Sequence, residues 1–188
     1  MAVRLAYRLV DDELPRLIGA RLGMPADVVD TIENRSPGFG ERLLAGMAGA
    51  VPEMSAPAPL PGNDLVMEYR REAERLIREA ALAGDAVILG RLGGAVLGAR
   101  PELVRVFIYA PLAWRIANVR ASLQCDEAAA RSEIGRIDEA RRRFAREHYR
   151  MSWGDPHNYE LAVDTARFGV DGAAAVIAGA VRATQAAT

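Results

Sequence analysis

The sequence predicts an α/β fold, a parallel sheet covered by helices, and three stretches carry that expectation. Ala86 to Leu89 is an apolar run bounded by Gly84-Asp85 and Gly90. Too short for a helix, it reads as a strand buried on both faces, as strands of parallel sheets are. Val104 to Tyr109 is a second run, β-branched and aromatic, ended by Ala110-Pro111, with Pro111 placed where a helix would start. Upstream, Asn63 or Asp64 caps a helix reaching about Ala83, with Val66, Tyr69, Ala73, Leu76, Ile77 and Ala80 at helical spacing. Helix feeding strand in this way implies right-handed β-α-β crossovers. Behind the first run stand Gly90-Arg91 and Gly93-Gly94. Ligands of open α/β sheets collect at the carboxyl ends of strands, where glycine admits close backbone approach and arginine presents a forked cation.

The remaining elements follow in order. Residues 2 to 6 resemble the tail of a helix, and Tyr7 to Val10 form a short strand ending at Asp11-Asp12. Leu14, Leu17, Ile18 and Leu22 mark a helix that Gly23 closes. Pro25 opens another in its first turn, running to about Asn34, where Ser36-Pro37-Gly38 breaks it. A short helix is expected over 39 to 50, then a mobile, extended loop over 51 to 63, which holds four prolines. After a helix over 112 to 124, Asp126 caps a longer one to about Arg150 with Ile134, Ile137 and Phe144 as its apolar points. Its arginines, interspersed with Glu133, Glu139 and Glu147, read mainly as a solvated face. Trp153 to Pro156 is a turn, Tyr159 to Val163 a strand ending at Asp164-Thr165, and residues 171 to 183 a final helix packed on the sheet.

Composition bounds the function. A chain of 188 residues has the size of one domain and buries roughly 70% of its unfolded surface; no internal repeat is present. With 51% hydrophobic and 26% charged residues, it is an ordinary globular sequence. No apolar run reaches the ~18 residues a transmembrane helix needs, and the N-terminus has no long apolar signal core. The single Cys125 allows no internal disulfide and fits a reducing compartment, so a cytoplasmic location is expected. A net charge of −1 removes the motive for non-specific nucleic-acid binding. All 24 basic residues are arginine, as a GC-rich genome would produce. A phosphate loop of the form G-x-x-x-x-G-K-[ST] is therefore absent from these residues.

Polar groups that follow strands are the candidates for chemistry: Asp11 and Asp12, Arg91, and Asp164-Thr165. Together with the arginines of the 112 to 150 helices they suit phosphoryl transfer, where arginines neutralise phosphoryl oxygens and a carboxylate handles a hydroxyl, a sugar or magnesium. With His148, His157 and Cys125 alone, a zinc site or a Cys-His pair has few candidates; with Trp153 they read as structural or surface residues. No metal ligand is assigned. Gly90 to Gly94 lacks G-x-G-x-x-G spacing, and no G-x-S-x-G occurs. Two readings remain open at this point: a phosphate- or nucleotide-binding site, and a structural α/β domain with incidental arginines.

The runs AVILGRLGGAVL and VRVFIYAPLAWRI, the spaced Asp138 and Arg141, and WGDPHNYELAVDT follow in that order. Together they resemble the cytidylate kinase-like family of P-loop nucleotide kinases, from about Tyr7 to about Val181. The resemblance implies a three-layer parallel-sheet P-loop kinase-like fold, with residues 126–156 as a helical lid. It also implies ATP with Mg2+ and transfer to a nucleoside monophosphate such as CMP. By the same resemblance Asp11 borders the acceptor nucleotide, Arg91 holds its phosphate, Arg115 lies near the ATP, and Arg141 reaches the transferred phosphate. Arg91 and Arg141 are then the catalytic pair. Two positions depart from the pattern: Leu92 stands where CMP-phosphorylating members tend to carry an acid, and Asn118 where some carry a second arginine. The acceptor is open on these grounds.

Members of that family begin with a strand, a glycine-rich loop and a helix, and here Met1 falls inside that helix. The expectation is a fold lacking its first strand, from a start placed late or a truncated relic, with roughly 20 to 30 residues wanting. The alternative function is a catalytically inactive kinase-like domain that binds a nucleotide or a protein partner; an interaction scaffold is a third reading. Oligomeric state is not encoded in any pattern found here.

Overall fold

The structure, a computed structural model, describes residues 1–11, 13–35 and 62–186. Asp12, the helix expected over 39 to 50, and the proline-rich loop up to residue 61 lie outside the described residues. The elements of the first half are α1 (Ala2–Leu5), β1 (Arg8–Val10), α2 (Glu13–Leu22), α3 (Ala26–Arg35), α4 (Asn63–Leu82), β2 (Ala86–Ile88) and α5 (Gly93–Leu97). Then come β3 (Val106–Tyr109), α6 (Leu112–Leu123), α7 (Glu127–Tyr149), a 3-10 turn at Pro156–Asn158, β4 (Leu161–Asp164) and α8 (Thr165–Ala186). They fall into two compact units, one of Arg8–Val96 and one of Met1–Tyr7 with the chain from Leu97 onward.

In the unit of residues 8 to 96, β1 and β2 pair in parallel, Arg8 opposite Ala86 and Val10 opposite Ile88. The apolar stripe of α4 is buried at Tyr69, Ala73, Leu76, Ile77 and Ala80 and packs on α2, whose Leu14 and Ile18 are fully buried. Each such large side chain contributes roughly 1.5–3 kcal/mol by leaving water. α3 adds Val29 and Ile32 to this core. The buried carboxylate of Glu72 accepts from Arg21 of α2 at 3.0 Å and from Arg75 at 2.7 Å, so a satisfied charge also ties α2 to α4.

Several local expectations need correcting. β2 is half-buried rather than buried on both faces, and among the described residues β1 is its one strand neighbour. Neither Asn63 nor Asp64 caps α4; Gly62 precedes it, and its carbonyl accepts from the Leu65 and Val66 amides. Pro25 stands before α3, its carbonyl accepting from Val28 and Val29. A short helix, α5, follows the Gly90-Arg91 turn. A Cβ on Gly93 would lie 3.0 Å from Cγ2 of Ile88, so this glycine serves the packing of that turn on β2.

In the other unit β3 and β4 pair in parallel, Val106 opposite Leu161 and Tyr109 opposite Asp164. α8 covers β4 through Val163, Ala173 and Ile177, with Val106 and Leu161 packed against them. α6 and α7 share a second core of Ile116, Ala130 and Ile134, joined by Val119 and Cys125. The expected cap of α7 is present: Asp126 accepts from the Ala129 amide at 2.7 Å. A short helical turn starts at Thr165, where Asp164 accepts from the amides of Ala166 and Arg167 at 2.9 and 3.2 Å. The long helix beyond a kink at Gly169, at φ 67° and ψ 174°, begins close to the expected residue 171. The parallel α/β character is thus as expected, and the described strands pair as two two-stranded sheets. None of the described helices is long and apolar enough to cross a membrane.

Gly19 sets how closely α2 and α3 approach, since a Cβ there would lie 2.8 Å from Cγ2 of buried Val29. Gly19→Ala should therefore destabilise the protein by about 1–3 kcal/mol through overpacking, read as a lower urea midpoint with an unchanged slope. An unchanged midpoint would mean that α3 shifts at no cost.

Candidate functional site

Two arginine-centred clusters occupy the positions that the sequence singles out, one in each unit. The first lies behind β2. Gly90, Arg91 and Leu92 all adopt left-handed backbone, at φ 69°, 49° and 49°. For the two non-glycine residues this costs roughly 1–2 kcal/mol each, so other contacts must hold the turn. The Arg91 guanidinium supplies them. Its Nη1 and Nη2 donate to Oε1 and Oε2 of Glu33, both at 2.7 Å, the fork-to-fork geometry that makes such pairs strong. Glu33 comes from α3, and its side chain is 7% exposed against 15% for Arg91. From α4, the hydroxyl of buried Tyr69 donates to Oε1 of Glu33 at 2.6 Å.

The electrostatics of this cluster follow from its burial. Burial alone would lower the pKa of Arg91, but the hydrogen bonds and charge of Glu33 outweigh it and hold the guanidinium above its ordinary value. Tyr69 is pushed well above the usual phenol range by burial first, then by the charge and hydrogen bond of Glu33. The residue therefore stays protonated and remains a donor.

The second cluster joins α6 to α7. Arg115 donates through Nη1 and Nη2 to Oδ2 and Oδ1 of Asp138 at 2.7 and 2.8 Å. Arg141 follows on the next turn of α7, with its Cζ 5.3 Å from the centroid of the Trp153 ring, a cation–π distance. Trp153 is fixed in turn: Phe107 of β3 meets it edge-on at 5.3 Å, and the Tyr159 hydroxyl donates to its carbonyl at 2.7 Å. Burial lowers the pKa of Arg141 to about 10, against the attraction of Asp138 and with the help of the neighbouring Arg115 charge. Arg141 is thus a partly desolvated cation, still charged at neutral pH, and an anion beside it would relieve that desolvation.

The other expected residues take the following places. Asp11 follows β1 directly, and its carbonyl accepts from Leu14 at the start of α2. Asp164 caps α8, a structural use of a carboxylate read as a site candidate. Asn118 donates to the Trp114 carbonyl one turn back at 2.8 Å. The structure joins Arg115 to Asp138 and sets Arg141 on Trp153; Arg91 and Asp11 belong to the other unit. Sequence reasoning missed Glu33 and the role of Tyr69. The available signal for Glu33 was its position on the buried stripe Val29, Ile32, Glu33 of α3, where an ionised acid needs a partner. Among the described residues, no group of three His, Cys, Asp or Glu side chains is placed to hold a metal.

Because Tyr69 is held protonated in the fold, its contribution to stability is complete below the ordinary phenol pKa of about 10 and is lost as pH rises above it. The unfolding free energy from urea titrations should fall as pH rises above about 10. The fall should be shallower in Tyr69→Phe, with Tyr159, raised by burial as well, accounting for part of the remaining slope. Equal slopes in the two proteins would remove Tyr69 from this account.

Residues 1–167 match the cytidylate kinase-like family. A cytidylate kinase of Halobacterium salinarum is 30% identical over 117 residues, 62% of this chain and 60% of the relative. A cytidylate kinase of Natronomonas pharaonis is 30% identical over 114 residues, 60% of this chain and 59% of the relative. The aligned part thus spans about 60% of the length of these relatives. With residues 1–167 matched, the chain belongs to the cytidylate kinase-like family.

Proposed function

We propose that this protein transfers a phosphoryl group from ATP to a nucleoside monophosphate, with CMP the first acceptor to test. The observation that carries the reading is Arg141, a guanidinium kept partly desolvated on an aromatic face, with its pKa lowered to about 10. A phosphate beside it gains a charge-assisted contact in a site of low dielectric. Arg115, oriented by Asp138, addresses ATP in this reading, and Asp11 with Arg91 addresses the acceptor. ATP with its magnesium supplies the transferable phosphoryl group. The residues of the chain bind, orient and neutralise charge, which is most of what phosphoryl transfer asks of a protein. On the same reading the strands belong to a three-layer P-loop kinase-like sheet, and α7 with the turn after it acts as the lid.

A second reading, binding of nucleotide without transfer, is favoured by one observation: Glu33 already takes both terminal nitrogens of the Arg91 fork. The absence of lysine from these 188 residues points the same way, since the ATP side must then rely on arginine within them.

The direct test is a coupled assay with ATP, magnesium and each nucleoside monophosphate, run beside calorimetric binding of CMP. Arg141→Ala should lower kcat by roughly 10²–10³-fold, the cost of losing one preorganised donor, while leaving CMP affinity nearly unchanged. Arg91→Ala should act mainly on CMP, weakening its binding by at least roughly tenfold. CMP binding without turnover would favour the second reading for this chain. Absence of both would sink the first and second readings together.

A further inference from the structure

Arg91, Glu33 and Tyr69 come from three separate elements and meet in one buried cluster. A guanidinium has five N–H groups. Glu33 uses one on each terminal nitrogen, so the Nε edge of Arg91 is not the edge that Glu33 occupies. The carboxylate has two effects on a ligand at that edge. It fixes the plane of the guanidinium, and it cancels much of the positive charge an anion would feel. Tyr69 modulates the second effect, because its hydroxyl draws on Oε1, the same oxygen that Arg91 Nη1 uses.

We propose that Glu33 and Tyr69 are positioning residues for Arg91, which together set the orientation and the effective charge with which it holds the acceptor phosphate. This rests on the reading of Arg91 as the acceptor-phosphate residue. The cluster makes Arg91 a directional and only moderately attractive anion ligand: the acceptor is gripped through hydrogen-bond geometry and released without a large electrostatic penalty. The geometry also requires the two supporting residues to act in opposite directions. Removing the Glu33 charge leaves Arg91 a bare buried cation that holds any phosphate more tightly but in a poorly defined plane. Removing the Tyr69 hydroxyl leaves more of the carboxylate charge to Arg91 and weakens its hold on phosphate.

The experiment is calorimetric binding of CMP and of inorganic phosphate to the full chain and to Glu33→Gln, Tyr69→Phe and Arg91→Ala, with steady-state kinetics where turnover is measurable. Glu33→Gln should bind both probes more tightly, on the order of three- to tenfold, the coupling expected of contacting charged groups, with a lower kcat. Tyr69→Phe should bind both more weakly by a smaller factor, and Arg91→Ala should abolish the response to inorganic phosphate. A structural role alone would lower the melting temperatures without affinity changes of opposite sign. Should Glu33→Gln fail to fold, the weakening in Tyr69→Phe decides the matter, and unchanged affinity there overturns the proposal. Loss of CMP binding in Arg91→Ala with unchanged affinities in the other two variants would overturn the roles of Glu33 and Tyr69 while the acceptor reading stands. A wild-type chain that binds neither probe would overturn the acceptor reading, and this inference with it.

Discussion

Of the two buried carboxylates in the unit of residues 8 to 96, Glu33 and Glu72, it is Glu33 that joins three parts of the chain. Glu33 is 8% exposed, and an ionised acid in that setting is tolerated only if its oxygens are paired. Uncompensated, such a charge costs roughly 3–5 kcal/mol, a large share of the stability of a small domain. Satisfying it fixes much else. Arg91 must reach α3 from behind β2, Tyr69 must turn its hydroxyl inward from α4, and the left-handed turn at Gly90 to Leu92 is held by the fork it delivers. Hydrophobic burial supplies most of the energy of that unit, but it is indifferent to a small rotation of α3 against α4. Three short hydrogen bonds are not.

The second cluster solves a different electrostatic problem with related parts. Arg115 and Asp138 form a bidentate pair, and Arg141 adds a second guanidinium to the same side. The depression of Arg141 comes first from burial, with the nearby Arg115 charge adding to it and Asp138 opposing it. Around Arg91 one cation meets one carboxylate, and burial is tolerated without that depression.

Much of this architecture was legible in the sequence. The periodicity of α4 identified Tyr69, Ala73, Leu76, Ile77 and Ala80 of its buried face, though Val66 is only half-buried and buried Glu72 broke the pattern. Asp126 announced the start of α7, and the apolar runs located β2 and β3 to within a few positions. What failed was local and has physical causes. Gly62 rather than Asn63 or Asp64 precedes α4, because backbone geometry alone can begin a helix when its first turn faces water. Asp164 looked like a site carboxylate because a strand end and a helix cap attract the same residue type. Arg91 was identified by its place after a strand and Arg115 through the family resemblance, whereas the partner of Arg91 was harder to find. Glu33 lies 58 positions from Arg91 and Asp138 lies 23 from Arg115; no local spacing rule spans such distances, and only the polar interruption of an apolar stripe hinted at the first.

A chain without lysine also explains why both clusters take the form they do. An ammonium is a point charge, and a carboxylate that pairs with it competes for the same three protons a ligand would use. A guanidinium is planar and has two distinct edges. In both pairs the carboxylate binds across Nη1 and Nη2, so one edge anchors the side chain to the fold and the Nε–H is not part of that pair. Anchoring and ligand binding can therefore coexist on one arginine, where on lysine they would exclude each other. The Arg-only composition, whatever its origin, is compatible with phosphate chemistry because it favours tethered forks over mobile point charges, and tethering of this kind accounts for the geometry of Arg91 and Arg115 alike.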